Sequence, residues 1–253
     1  MKEITSVHNP AIMQLRELQK AKARRQAGLF IADSVKMVRE AIDLGLCRTL
    51  VVESGRVEEY APLIDAAQGC EVLAVTPAIM NALSEAKTPQ GVLCTAAILP
   101  EPQEMTGELI VALDGVQDPG NVGTILRTAD AAGFDGALLS SACADLYGAK
   151  TLRATMGSVF RVPVMRVQDL AKELEALKDR GYAVVATELG GADFYANCPH
   201  EKAVLVIGSE GRGVSEAVRA AATHHLALPM RGGAESLNAA VAAGIMIYEM
   251  ARR

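Results

Sequence analysis

Short apolar runs alternate along this chain with stretches whose apolar positions recur every three or four residues, and the two periods predict strands and helices in turn. Ile12, Leu15 and Leu18 fall at helical spacing after Asn9, and Gly28 closes that segment. A short strand at 29–31 and a helix at 34–44, ended by Gly45, come next. Strand 48–52, helix 57–67 ended by Gly69, strand 72–75, a short helix at 77–83 and strand 91–99 complete a small α/β domain over residues 1–99. Pro100, Pro102 and Gly107 interrupt the pattern and read as a linker over 100–107. Beyond it the alternation restarts with strands at 109–113, 136–139, 162–167, 183–187, 203–207 and 225–228. Helices are predicted near 121–132, 147–156, 169–180, 214–222 and 235–251. Strands separated by crossover helices imply a parallel sheet, whose ligands bind beyond the C-terminal strand ends. Domain 108–253 is therefore expected to keep its chemistry in the loops at that edge.

The last helix departs from the one-faced pattern. From Leu237 to Met246 every residue except Asn238 is Leu, Ala, Val, Gly, Ile or Met, so the helix is apolar nearly all round and needs cover on more than one side. Ala239, Ala240, Ala242, Ala243 and Gly244 permit close approach, and either the chain's own sheet or a second subunit would serve. Ser236 and Asn238 are expected to open this helix, where backbone N–H groups lack partners within the helix.

Composition narrows the function classes. Half of the residues are apolar, enough for a sizeable core, but only 4% are aromatic and none is Trp, so stacking on exposed aromatic platforms is not an obvious way to hold bases. A net charge of −5 argues against a surface that is basic throughout and leaves room for a local patch. Arg16, Lys20, Lys22, Arg24 and Arg25 form one candidate, with Glu17 the single acid among them; it is either a solvated helix face or a phosphate-contacting strip. Cys47, Cys70, Cys94, Cys143 and Cys198 are far apart, and His8, His200, His224 and His225 form no ligand cluster with them. That pattern implies reduced thiols, no structural zinc and a cytoplasmic protein. No run approaches the roughly 18 to 20 apolar residues of a membrane span, and the N-terminus lacks the apolar block of a signal peptide.

Three loops at the expected edge carry polar side chains among glycines. The first, 114–123, holds Asp118 and Pro119, a good N-cap and first helical residue, followed by Asn121 and Gly123; Arg127 lies on the helix face opposite Val122, Ile125, Leu126 and Ala129. It is not a dinucleotide fingerprint, because the first glycine of Gly-x-Gly-x-x-Gly is missing, and Ala149 before Lys150 spoils a phosphate loop at 148–151. The second loop places Glu210 between Gly208 and Gly213 behind a Val/Ile strand. The third is the glycine-rich stretch before the last helix. Each alone is a common turn.

Together, Asn121-x-Gly123-x-x-x-Arg127, Gly208-x-Glu210-x-x-Gly213 and Pro229-Met230-x-Gly232-x-x-x-Ser236-Leu237-Asn238 resemble the three motifs of the SpoU (TrmH-like) RNA ribose 2′-O-methyltransferases of the SPOUT class. The resemblance extends through Asp145-Leu146-Tyr147 and 156–163. The N-terminal domain resembles the family's L30e-like RNA-binding domain, with Asp33-Ser34 departing from the usual Glu-Gly. The resemblance implies a parallel-sheet domain with a deep trefoil knot and methyl transfer from S-adenosylmethionine to a ribose 2′-hydroxyl of structured RNA, ribosomal or transfer, by a homodimer that needs no metal. It further implies catalytic roles for Arg127, Asn121, Glu210, Ser236 and Asn238, and a cofactor held around Thr187, Gly208, Leu228, Met230 and Leu237. Arginine is a poor proton acceptor, so Arg127 is either a base with a strongly depressed pKa or a cation that orients the hydroxyl; the sequence leaves both open. Two alternatives stand beside this reading. A catalytically silent RNA-binding homologue would bind the cofactor without methylating RNA, and a small-molecule methyltransferase would accept a free nucleoside.

Overall fold

The structure, a computed structural model, describes residues 1–199 and 201–252; His200, one of the four histidines above, and Arg253 lie outside the described residues. The chain divides into two compact units, Met1–Pro100 with Tyr147–Phe160 and Glu101–Leu146 with Arg161–Arg253.

The first unit contains β1 (Lys2–Ile4), α1 (Pro10–Glu17), α2 (Ala21–Ala27), β2 (Leu29–Ala32), α3 (Val35–Asp43), β3 (Cys47–Glu53), α4 (Ala61–Ala66), β4 (Glu71–Val75), α5 (Pro77–Leu83) and β5 (Val92–Ala97). Its sheet runs β1-β4-β3-β5-β2, with β5 antiparallel to both neighbours and the other pairs parallel. Two predicted helices come out differently. The segment from Asn9 to Gly28 is two helices, and the turn between them is held by Arg24, whose buried Nη1 donates to the carbonyls of Leu18 and Gln19, both at 2.8 Å. Helix 57–67 shrinks to α4, because Pro62 has no N–H to give to a preceding turn and is accepted only at a helix start. Asp33 and Ser34, the family departure, both have structural partners: Asp33 Oδ2 accepts from Ser84 Oγ at 2.7 Å, and Ser34 caps α3 by accepting from Met37 N at 3.3 Å. Tyr147 and Phe160, which the sequence reading places in the second domain, pack here on Phe30, with ring centroids 4.8 and 6.1 Å away.

The second unit contains β6 (Leu109–Asp114), α6 (Pro119–Ala132) and β7 (Gly136–Ser140); α7 (Ala149–Thr155) falls in the segment assigned to the first unit. The second unit continues with β8 (Val164–Val167), α8 (Leu170–Asp179), β9 (Ala183–Asp193), α9 (Phe194–Asn197), β10 (Ala203–Gly208), α10 (Glu216–Ala221), β11 (His224–Ala227) and α11 (Ala239–Met250). The sheet, ordered β11-β9-β10-β6-β7-β8, is parallel throughout, as the alternation predicts. Its Ile, Val, Leu and Ala side chains pack against Leu170, Leu174 and Leu177 of α8 and Val218 of α10.

Helix α9 stands where no helix is predicted, and two further elements have other bounds than expected. Strand β9 is longer than 183–187 because the chain leaves the ladder with β11 after Ala186 and rejoins it at Ala192. Helix α11 begins at Ala239 rather than near 235. Asn238 Oδ1 accepts from the N–H groups of Ala240 (2.9 Å) and Val241 (3.2 Å), which fixes the helix start there and leaves 229–237, with its two glycines, as exposed loop.

Candidate active site

The three motif loops follow β6, β10 and β11. In the first, Asp118 caps α6 by accepting from Asn121 N at 2.9 Å, and Pro119 takes the first helical position. Asp114, at the end of β6, accepts from Ser215 N at 2.7 Å and so ties this loop to the start of α10. In the second, Ser209 and Gly213 exchange backbone hydrogen bonds at 3.0 and 2.9 Å, closing a tight loop. A Cβ on Gly208 would stand 2.1 Å from the Gly213 carbonyl carbon, so only glycine lets the backbone cross there, and Glu210 is carried on the closed turn.

A chain of side-chain hydrogen bonds then joins the motifs. Asn121 Nδ2 donates to Glu210 Oε1 at 2.7 Å, and Asn121 Oδ1 accepts from Asn238 Nδ2 at 3.1 Å. Asn238 Oδ1 in turn receives the first free N–H groups of α11. Every amide in this chain has one orientation that satisfies it. Burial pushes the Glu210 carboxyl up, but the bond from Asn121 and backbone hydrogen bonds at Glu210, Gln117 and Asp118 outweigh it, so its pKa lies below the ordinary value. Three of the five residues expected to carry the chemistry are thus brought into one network. The other two stand apart. Arg127 is exposed on α6, opposite the buried Val122, Ile125, Leu126 and Ala129, and makes no hydrogen bond or ion pair among the described residues. Ser236 is exposed in the loop before α11, and its hydroxyl has no partner among the described residues.

Of the residues expected around a cofactor, Thr187 lies within β9, Gly208 ends β10, Leu228 and Met230 follow β11, and Leu237 precedes α11; β11, β9 and β10 are neighbours in the sheet. Thr187 Oγ1 donates to Val206 O at 2.9 Å, Leu228 is half-buried, and Met230 and Leu237 are 37% and 39% exposed. Leu189, in the excursion of β9, is 77% exposed.

In the first unit, Arg16, Lys20, Lys22 and Arg25 are exposed. Lys20 pairs with Glu17 at 2.9 Å, whereas Arg16, Lys22 and Arg25 make no ion pair among the described residues. Arg24 departs from the expectation: its buried Nη1 donates to carbonyls of the chain itself, whereas the other four cations are exposed.

Residues 108–248 match the SpoU rRNA methylase family, and residues 9–94 match an MRM3-like substrate-binding domain. The chain belongs to the SpoU rRNA methylase family. A relative in Bacillus subtilis, the 23S rRNA (guanosine(2553)-2′-O)-methyltransferase RlmP, is 34% identical over 99% of both chains. An AdoMet-bound rRNA methyltransferase from Sinorhizobium meliloti is 37% identical, covering 99% of this chain and 97% of that one, with a TM-score of 0.85. The SpoU methyltransferase AviRb from Streptomyces viridochromogenes, solved with AdoMet, is 29% identical over 97% of this chain and 98% of its own, with a TM-score of 0.88.

Some features of this SpoU chain gave no signal in sequence. Asp114 and Ser215 are 101 positions apart in the chain. Cys47 and Cys94, on neighbouring β3 and β5, and Cys70, just before β4, are also brought together: Cys70 Sγ donates to Cys47 O at 3.3 Å. The hydrogen bond from Cys94, against the upward push of burial and with help from Cys70 and Arg48, lowers the Cys47 pKa to about 7.

Proposed function

We propose that this chain transfers the methyl group of S-adenosylmethionine to the 2′-oxygen of a ribose in structured RNA, ribosomal RNA first and transfer RNA second. The observation that carries the reading is the hydrogen-bonded chain Glu210–Asn121–Asn238, which sets one geometry across all three motif loops while Arg127 stays exposed beside it on α6 without a carboxylate partner. The rRNA 2′-O-methyltransferase activity of the Bacillus relative supports the substrate class. The apolar side chains left exposed around the ends of β9, β10 and β11 suit an adenine ring, and AdoMet in two related structures supports that cofactor. Thr187, Gly208, Leu228, Met230 and Leu237 would hold it, Gly208 by keeping its loop closed. The cofactor supplies a methyl group already activated on a sulfonium.

What remains for the protein is to orient and deprotonate a weakly acidic hydroxyl. Arg127, whose donor fork is not spent on this chain, orients the ribose hydroxyl against the adjoining phosphate and stabilises the developing alkoxide, and the hydroxyl proton leaves to solvent water, which reaches this exposed residue. Asn121, Glu210 and Asn238 fix the start of α6 and of α11 around it, and Ser236 offers a free hydroxyl. Arg16, Lys20, Lys22 and Arg25 give the first unit a phosphate-contacting strip.

The same reading includes the trefoil knot of the family, a cytoplasmic site of action and a homodimer. On α11, Ala240, Ala243, Met246, Ile247 and Met250 are covered by the chain itself, whereas Val241, Ile245 and Tyr248 stand bare on the other face. That face and Thr124 and Thr128 of α6 line an open groove of about 510 Å³ that a second copy would fill. The function is tested by mapping 2′-O-methyl positions in cellular RNA with and without the gene. Loss of one ribosomal site is expected, loss of a transfer RNA site selects the second substrate, and an unchanged map overturns the proposal.

A further inference from the structure

Strand β9 contains a detour. Its partners on β11 step from Ala186 opposite His225 directly to Ala192 opposite Leu226, so residues 187–191 are looped out of the ladder. Gly190 has φ +81, and a Cβ on Gly191 would lie 2.7 Å from His225 O, so the loop passes β11 at backbone contact. The loop presents Leu189 outward, and two side chains tie it down. Thr187 holds Val206 O on β10. Glu188 turns back toward the protein, its Oε2 2.7 Å from Arg219 Nε of α10 and 3.5 Å from His225 Nδ1 of β11. Glu188 Oε2 and His225 Nδ1 are both shielded from solvent, and neither has a hydrogen bond of good geometry among the described residues. Between Glu188 and Arg219 the tie is therefore chiefly charge attraction, at a carboxylate oxygen shielded from solvent, where screening is weaker than on an open surface.

The tie is not needed to assemble the fold. Helix α10 packs on α8 through Val218 and Ala221, and β11 pairs with β9 on either side of the detour. Its consequence is local: it decides where Leu189 and the backbone beside it point.

We infer that Glu188, held by Arg219 and His225, is a positioning residue for the cofactor wall. This rests on the reading that S-adenosylmethionine lies against the detour of β9 and the loops after β10 and β11. Glu188 acts through the loop and not by contact with the reacting atoms. Without its charge, residues 187–191 spend part of their time in arrangements that do not bind, and apparent affinity falls by that fraction.

Calorimetric titration of the full chain with S-adenosylmethionine, alongside thermal unfolding and steady-state kinetics, tests the inference. Glu188→Gln should bind about tenfold more weakly, the size of one charge-assisted contact. KM for the cofactor should rise by the same factor, with kcat at saturation and the unfolding midpoint nearly unchanged. Arg219→Ala should behave alike, and Arg219→Lys should regain most of the loss. Wild-type affinity in both Glu188→Gln and Arg219→Ala, a fall in kcat without a rise in KM, or global unfolding of both variants would each overturn the inference. Leu237→Asp separates the two levels: if it too binds like wild type, the cofactor location itself is wrong, whereas weak binding there with normal binding in Glu188→Gln overturns the positioning role alone.

Discussion

The two units use the same alternation of strand and helix to different ends. In the first, β5 runs against its neighbours, loops leave the sheet in both directions, and the polar side chains inside are spent on structure: Arg24 on two carbonyls, Asp33 on Ser84, Ser34 on the start of α3. What it offers a partner is surface charge on α1 and α2. In the second, every strand is parallel, the C-terminal ends lie along one edge, and the loops after β6, β10 and β11 collect polar groups that hold one another. Parallel topology gathers chemistry; mixed topology disperses it.

The largest effect is expected at Arg127. Arg127→Ala should lower the methylation rate by at least about 100-fold while cofactor affinity measured by calorimetry stays near wild type, in the range seen when a positioned proton-transfer or oxyanion-stabilising group is lost. Arg127→Lys should not restore it, because a point charge does not reproduce the planar fork. Next comes the hydrogen-bonded chain. Asn121→Ala frees both Glu210 and Asn238 and should cost roughly 10- to 100-fold in kcat through misplacement of the loops, measured under single-turnover conditions. The chain also has a pH signature. The folded-state pKa of Glu210 is depressed, so its contribution to stability is present at neutral pH and is lost as the pH falls through that value. Thermal melts of wild type and Glu210→Gln should therefore converge on acidification; a gap that widens instead contradicts the assignment.

Smaller effects are expected away from the loops. Tyr248→Glu places a charge on the bare face of α11 and should shift light scattering toward the monomer, whereas Ala243 is fully buried and would report only on folding. Neutralising Lys20, Lys22 and Arg25, leaving the structural Arg24 intact, should flatten the slope of log K for RNA against log salt by roughly 0.7 to 0.9 per lost phosphate contact. An unchanged slope would return these cations to a solvated helix face. Truncation is a poorer test, since Tyr147 and Phe160 pack on Phe30 and a fragment starting near residue 107 would strip them of that partner.

Much of this was legible in the chain. Helix α5 falls on 77–83, and the caps of α3 and α6 sit at Ser34 and Asp118, because capping is local chemistry written in adjacent residues. The three loops are visible in the sequence because their glycines and polar residues sit at fixed spacing. The rest depends on partners far away in sequence. Nothing around Arg24 distinguishes it from Arg25 until two helices fold and leave carbonyls to satisfy. The detour in β9 is set by its register with β11, and its apolar and glycine residues read equally well as a strand end. The start of α11 is again a local cap, Asn238 Oδ1 on the N–H groups of Ala240 and Val241, whereas the bond from Asn238 Nδ2 to Asn121 Oδ1 spans 117 positions and leaves no trace in the sequence.

The central claim is that the edge formed by Asn121, Arg127, Glu210 and Asn238 directs the methyl group to a ribose oxygen. Alkaline hydrolysis of RNA methylated in vitro with a labelled donor tests it most directly, because strand cleavage requires a free 2′-hydroxyl. The account predicts label in alkali-resistant dinucleotides with wild type and almost none with Arg127→Ala; label in mononucleotides, or equal labelling by the two proteins, would contradict it.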